Sequence, residues 1–150
     1  MTIRNFRTFS DEISTGGQPT RKELRAAASA GYQDVVNLAT YDSKSAAERE
    51  ETLVAELGMG YHPIPVEWDD PRPDHFDRFV TCMESLRGRK TLVHCAANYR
   101  VTAFVSLYAM AKLGWKAKSA DEFVQSVWNP EEYPIWQRFI TQIRDGLESR

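Results

Sequence analysis

KTLVHCAANYRVTAFV, Lys90 to Val105, contains the junction on which the fold turns. Thr91 to His94 is a short apolar run of the kind that fills a buried strand. Cys95 to Arg100 is a six-residue turn, and from Val101 to Leu113 the chain is apolar almost all round. That pattern predicts a central, buried helix rather than a surface one. A cysteine at a strand end, with an arginine and a helix start just beyond it, is a way to build an anion-binding nucleophile. The helix N-terminus favours negative charge, a guanidinium can clamp an oxyanion with two parallel hydrogen bonds, and both favour the thiolate.

Outward from this junction, strand and helix signals alternate. Asn5 to Phe9 and Glu12 to Thr15 read as short strands around a Ser10-Asp11 turn, followed by a Gly16-Gly17-Gln18-Pro19 loop. Thr20-x-x-Glu23 is a capping box opening a helix that Gly31 closes. Gln33 to Ala39 is a buried-strand pattern. Ser45-x-x-Glu48 is a second box, ahead of Leu53, Val54 and Leu57 on one helical face. Gly60 to Val66 is the next strand, and Pro63 and Pro65 both remove donors from the same side of it, which suits an edge or a strand end. Glu67 to Pro73 is a loop. A helix follows with Phe76, Phe79, Val80, Met83 and Leu86 on one face, stopped by Gly88. Beyond the apolar helix, Ser119-x-x-Glu122 caps another that runs to about Trp128, Asn129-Pro130 breaks it, and Trp136, Phe139, Ile140, Ile143 and Leu147 define the last.

Strands separated by helices imply an α/β fold, a mostly parallel central sheet flanked by helices, with the carboxyl ends of the strands on one rim. Three segments then meet on that rim: Thr40-Tyr41-Asp42, Trp68-Asp69-Asp70, and the turn from Cys95 to Arg100. Residues 1–150 suit one domain large enough for a core without staples. The net charge of -2 makes nucleic acid a poor partner. Two cysteines, Cys82 and Cys95, make no disulfide framework, no Cys/His spacing resembles a zinc site, and Cys82 falls on a helix as a packing residue. No apolar run is long enough to span a membrane and MTIRNFRTF is not a signal peptide, so a cytoplasmic location is expected, a removed native leader aside.

His94-Cys95 followed by Arg100 resembles the H-C-x-x-x-x-x-R-[S/T] signature of the cysteine-dependent protein tyrosine and dual-specificity phosphatases, with Arg100 one residue early. Ile13-Ser14-Thr15-Gly16-Gly17-Gln18-Pro19 echoes the opening of a small bacterial branch, the phosphatase-like domain of β-lactamase-hydrolase-like proteins, which also uses a compact Cys-x4-Arg turn. The resemblance follows the order of elements over most of Gly16 to Leu113. It implies a tyrosine-phosphatase-like fold and a metal-independent phosphomonoesterase working through a cysteinyl-phosphate, with no cofactor and a phosphorylated substrate of unknown class as its partner. Cys95 is then the nucleophile, and the turn of Ala96, Ala97, Asn98, Tyr99 and Arg100 binds the phosphate. Arg100 also stabilises charge in the transition state. His94 supports the turn or is a satisfied core histidine. Thr102 stands at the spacing from Cys95 where the family has a hydroxyl that stabilises the departing thiolate, and it is equally an ordinary first-turn threonine.

Loss of an alkoxide or phenoxide needs a proton donor, and Asp69 or Asp70, after an Ile-Pro-Val segment and before a proline-rich loop, fits the place where dual-specificity phosphatases carry theirs. The same Asp-Asp-Pro is also good turn chemistry. Trp68 lines the pocket or anchors the loop, Asp42 is a substitute acid by position, and Trp115, Trp128 and Trp136 are core by default. The turn lacks the usual glycines, and Asn98 is the residue that tolerates a left-handed conformation. A loop shortened by one residue, up to ~3.5 Å of contour, also resembles that of rhodanese-type sulfurtransferases, which cradle a persulfide. A sulfurtransferase using a Cys95 persulfide and a non-catalytic anion-binding module are therefore the alternatives. Oligomeric state is open.

Overall fold

The computed structural model describes residues 1–40 and 49–148. Five strands, β1 (Arg7–Thr8), β2 (Ile13–Gly16), β3 (Asp34–Asn37), β4 (Gly60–Pro63) and β5 (Thr91–His94), form one sheet in the order β1-β2-β5-β3-β4. β1 is antiparallel to β2, and every other pairing is parallel. The expected α/β architecture with a mostly parallel sheet is what forms. The strand carrying the Cys95 turn lies at its centre, between β2 and β3. β4 is an edge, for the reason its prolines imply. The amides of Ile64 and Val66 donate to Asn37 and Leu38, so Pro63 and Pro65 lie on the outward side where no donor is needed.

Strand alternation splits the core into two layers. Val35 and Leu92 face α1 (Arg21–Ser29) and α2 (Glu50–Glu56), together with Leu24, Ala27, Leu53 and Val54. Val36 and Val93 face the opposite layer, built from α3 (Pro73–Ser85), α4 (Tyr99–Lys112), α5 (Ala117–Gln125) and α6 (Pro134–Glu148). α4 is the hub of that layer: every residue from Arg100 to Ala109 is buried, as a helix apolar on all faces must be. Each large side chain it buries, such as Phe104 and Leu107 at 0% exposure, contributes roughly 1.5–3 kcal/mol. Among the described residues no helix is long and apolar enough to cross a membrane.

Several boundaries differ from the sequence expectation. Only Arg7–Thr8 of Asn5 to Phe9 is strand, because Asn5 adopts a left-handed conformation (φ 51°) that breaks extension. The box at Ser119 does not start α5. That helix begins three residues earlier, at Ala117 after an extended Lys116 with no side-chain cap, and it buries Ala120 and Val124. α5 ends at Gln125, and Asn129 caps a 3-10 turn, Pro130–Glu132. α4 begins at Tyr99 rather than Val101, which brings Arg100 into its first turn. The capping box at Thr20 forms as expected, whereas Ser45 to Glu48, with Tyr41 and Asp42, lies outside the described residues.

Candidate active site

Period-two alternation decides where the residues around Cys95 go. Leu92 faces α1 and α2, so His94 does too, and Cys95, one step on, joins the α4 layer at 1% exposure. Asn37, two residues after Val35, shares the face of His94. These side chains converge on Glu50 in the first turn of α2. His94 Nε2 lies 2.8 Å from Glu50 Oε2, Gln18 Nε2 donates to Oε1 at 2.6 Å, and Asn37 Nδ2 donates to Oε2 at 3.3 Å and to the Tyr61 hydroxyl at 2.9 Å. His94 Nδ1 is 3.2 Å from the Cys95 carbonyl oxygen. Burial alone would push the Glu50 carboxyl up. The hydrogen bond and charge of His94, with hydrogen bonds from Gln18 and Tyr61, more than offset this and hold it below the ordinary carboxylate value.

The turn after Cys95 is braced from outside. Cys95 donates its amide to Gly16 O at 3.3 Å, Gln18 donates its amide to Ala96 O at 3.0 Å, and Asn5 Nδ2 donates to Ala97 O at 3.0 Å. Asn98 is fully buried and left-handed (φ 69°), the conformation expected of it, and its Nδ2 donates to Asn5 O at 2.8 Å and Thr15 Oγ1 at 3.0 Å. The amides of Ala96, Ala97, Tyr99 and Arg100 have no acceptor among the described residues, and the last two belong to the N-terminus of α4. Gly17 fits because a Cβ there would meet Ala96 O at 2.7 Å.

Arg100 is 7% exposed, and its Nη1 donates to Val66 O at 2.8 Å, the root of the segment carrying Asp69 and Asp70. Asp70 is committed to Arg72, with Nε at 2.8 Å and Nη2 at 2.7 Å from Oδ2. Asp69 is exposed and has no polar partner among the described residues. Trp68, between them and the sheet, joins an aromatic cluster with Tyr99, Trp128, Tyr133 and Trp136, at ring-centroid distances of 6.1, 5.7, 5.4 and 5.3 Å. Trp136 Nε1 also donates to Trp68 O at 2.8 Å. Tyr99 stacks on Trp128 at 4.9 Å, so the Cys95 turn and the acidic loop share one aromatic anchor. Thr102 Oγ1 donates back to Asn98 O at 2.8 Å and accepts from Trp128 Nε1 at 2.9 Å, which uses its hydroxyl as a tie between α4 and that anchor. Cys82 is distant in role: half-buried against the α3 side of the core, with burial pushing its thiol up.

No family model matches the chain, and no curated protein sequence does. Solved structures do. A DUF442 protein of Shewanella putrefaciens CN-32, described as a proposed phosphatase, superposes with a TM-score of 0.89 at 31% identity, over 97% of this chain and 95% of that one. A second crystal structure of it gives 0.87 at 30% identity, over 94% and 89%. The chain belongs to the DUF442 family. Its fold is that of the cysteine-dependent tyrosine and dual-specificity phosphatases. More distant structures share the fold alone. P. aeruginosa TpbA, solved in complex with pTyr, gives a TM-score of 0.74 at 14% identity over 97% of this chain and 91% of that one. Kinase associated phosphatase gives 0.77 at 16% identity, over 92% and 88%.

The structure therefore gathers His94, Cys95 and the turn through Arg100 at the carboxyl end of the central strand. It roots the Asp69-Asp70 loop beside them through Val66 and Trp68. Sequence reasoning missed Glu50 and Asn5, and it quoted Gln18 only as part of a motif. The register of β3 against β5 sets Asn37 opposite His94 on one face, where they require a polar partner. Nothing in the sequence marks Glu50 as that partner.

Proposed function

We propose that the protein is a metal-independent phosphomonoesterase of the tyrosine/dual-specificity phosphatase kind. The observation that carries this reading is the single loop in which Cys95 stands at the end of β5, with the Ala96 and Ala97 carbonyls drawn outward and α4 starting at Tyr99. Such a loop directs amides at a tetrahedral oxyanion. The Cys95 thiolate attacks phosphorus, the ester P–O bond breaks, and Asp69 gives its proton to the departing oxygen. Water then attacks the phosphocysteine, its proton passes to Asp69, and the P–S bond breaks to return the thiolate and inorganic phosphate. Arg100 holds two phosphoryl oxygens through both steps. Asp69 is preferred to Asp70 because the latter is already paired with Arg72. The partner is a phosphorylated substrate.

Cys95→Ser should abolish hydrolysis of an aryl phosphate, and acid-quenched wild-type protein should carry a phosphocysteine at Cys95 by mass spectrometry. Asp69→Asn should lower turnover about 10²–10⁴-fold for an alkyl phosphate and less for a nitrophenyl ester, whose leaving group needs no proton. Hydrolysis unchanged in Cys95→Ser would refute the mechanism. The compact Cys-x4-Arg turn favours one second reading, a sulfurtransferase with a Cys95 persulfide. It needs no proton donor, so thiosulfate-to-cyanide transfer would survive Asp69→Asn.

A further inference from the structure

The hydrogen-bond pattern around His94 requires more protons than a neutral imidazole carries. Nδ1 faces the Cys95 carbonyl and Nε2 faces the Glu50 carboxyl, and both are acceptors. The pair therefore holds either an imidazolium beside a carboxylate or a neutral ring beside a protonated acid. The rest of the shell distinguishes the two. Glu50 also receives Gln18 Nε2 and Asn37 Nδ2, together with the Tyr61 hydroxyl, so donors crowd its oxygens and favour the charged form. Both members are buried, His94 at 0% and Glu50 at 6% exposure, so water screens little of the charge.

We propose that Glu50 is a positioning residue that keeps His94 as an imidazolium directly behind Cys95, with Gln18 as the clamp that fixes Glu50. The device has two consequences for the turn. It pins the Cys95 carbonyl away from the loop interior, and it sets a cation one residue from the sulfur, where it favours the thiolate. Gln18 couples both ends of the arrangement: its backbone amide holds Ala96 O while its side chain holds Glu50 Oε1. The titratable groups around the pair, among the described residues, are Tyr61 from β4 on the Glu50 side and Cys95, whose carbonyl oxygen His94 Nδ1 faces. The inference rests on Cys95 acting as a thiolate nucleophile, as the phosphatase reading requires.

The test reads the thiolate without needing turnover. Iodoacetamide alkylation of Cys95 is followed by peptide mass spectrometry between pH 4 and 9, which separates it from Cys82. Glu50→Gln keeps the shape and removes the charge, so the pH midpoint of alkylation should rise by about one unit, with roughly tenfold slower alkylation below it. Glu50→Asp, which restores the charge, should recover most of the wild-type profile. A midpoint unmoved in folded Glu50→Gln overturns the proposal. If that variant does not fold, Gln18→Leu removes one donor and leaves the pair intact. It should raise the midpoint by a smaller amount, and no change there overturns the proposal equally. The two readings fail separately. A shifted midpoint in a protein that hydrolyses no phosphoester keeps the positioning role and removes the phosphatase, whereas an unshifted midpoint with hydrolysis intact does the reverse.

Discussion

At the scale of single residues, the Cys95 turn depends on groups that do no chemistry. Gly17 matters for its missing Cβ, which would lie 2.7 Å from Ala96 O and 3.2 Å from both Ala97 Cα and Arg4 O. These are backbone atoms, so relief must come from moving the turn or the N-terminal segment that braces it. Gly17→Ala should therefore lose about 1–3 kcal/mol of stability and lower turnover at saturating substrate by more than the folded fraction accounts for. Urea titration beside steady-state kinetics separates the two effects, and normal turnover in the folded variant would show that the contact is not transmitted to the turn. Asn98 is a comparable case. The sequence marks it as the one residue of AANY suited to positive φ. The structure adds that its side chain is a clasp to Asn5 and Thr15.

At the scale of elements, the site joins three pieces that no local signal connects. The turn belongs to β5 and α4, the acidic loop to β4 and α3, and the aromatic cluster to the segment between α5 and α6. Trp128 touches two of these at once, stacking on Tyr99 and donating to Thr102 in α4 while its ring lies 5.7 Å from that of Trp68 in the acidic loop. Trp128→Phe keeps the stacking and loses one hydrogen bond, so it should cost about 1 kcal/mol of stability with little change in turnover. Trp136, 1% exposed and bonded to Trp68 O, is a different matter. Trp136→Ala should cost about 3–5 kcal/mol and release the loop carrying Asp69, so that turnover falls in whatever fraction stays folded. Equal kinetics in both variants would mean that the cluster holds the core without positioning the loop. The all-round apolarity of α4 and the periodicity of α6 made these helices legible in the sequence. The role of Trp128 and Trp136 was not, because an aromatic at core spacing reads the same whether or not its N–H ties a neighbouring segment.

At the scale of the whole molecule, the buried pair between the sheet and α2 makes stability depend on pH in a definite direction. The Glu50 carboxyl is held below its ordinary value of 4.5 in the folded protein. Its carboxylate therefore adds stability that is complete above that value and is lost as pH falls through the lowered one. Glu50→Gln should be less stable than wild type at neutral pH, with the difference shrinking below about pH 4.5, as thermal melts across pH 3–7 would measure. A constant difference across that range would contradict the assignment of the charge. The sequence by itself determined what is local or periodic: the strand-turn-helix around Cys95, the all-apolar α4, and the place of β4 at an edge or strand end through its prolines. Only the tertiary structure decided which partners those residues meet. His94 and Glu50 are 44 positions apart and Asn98 and Asn5 are 93 apart. Such contacts depend on strand order and on both helical layers packing at once, so no window of sequence contains them.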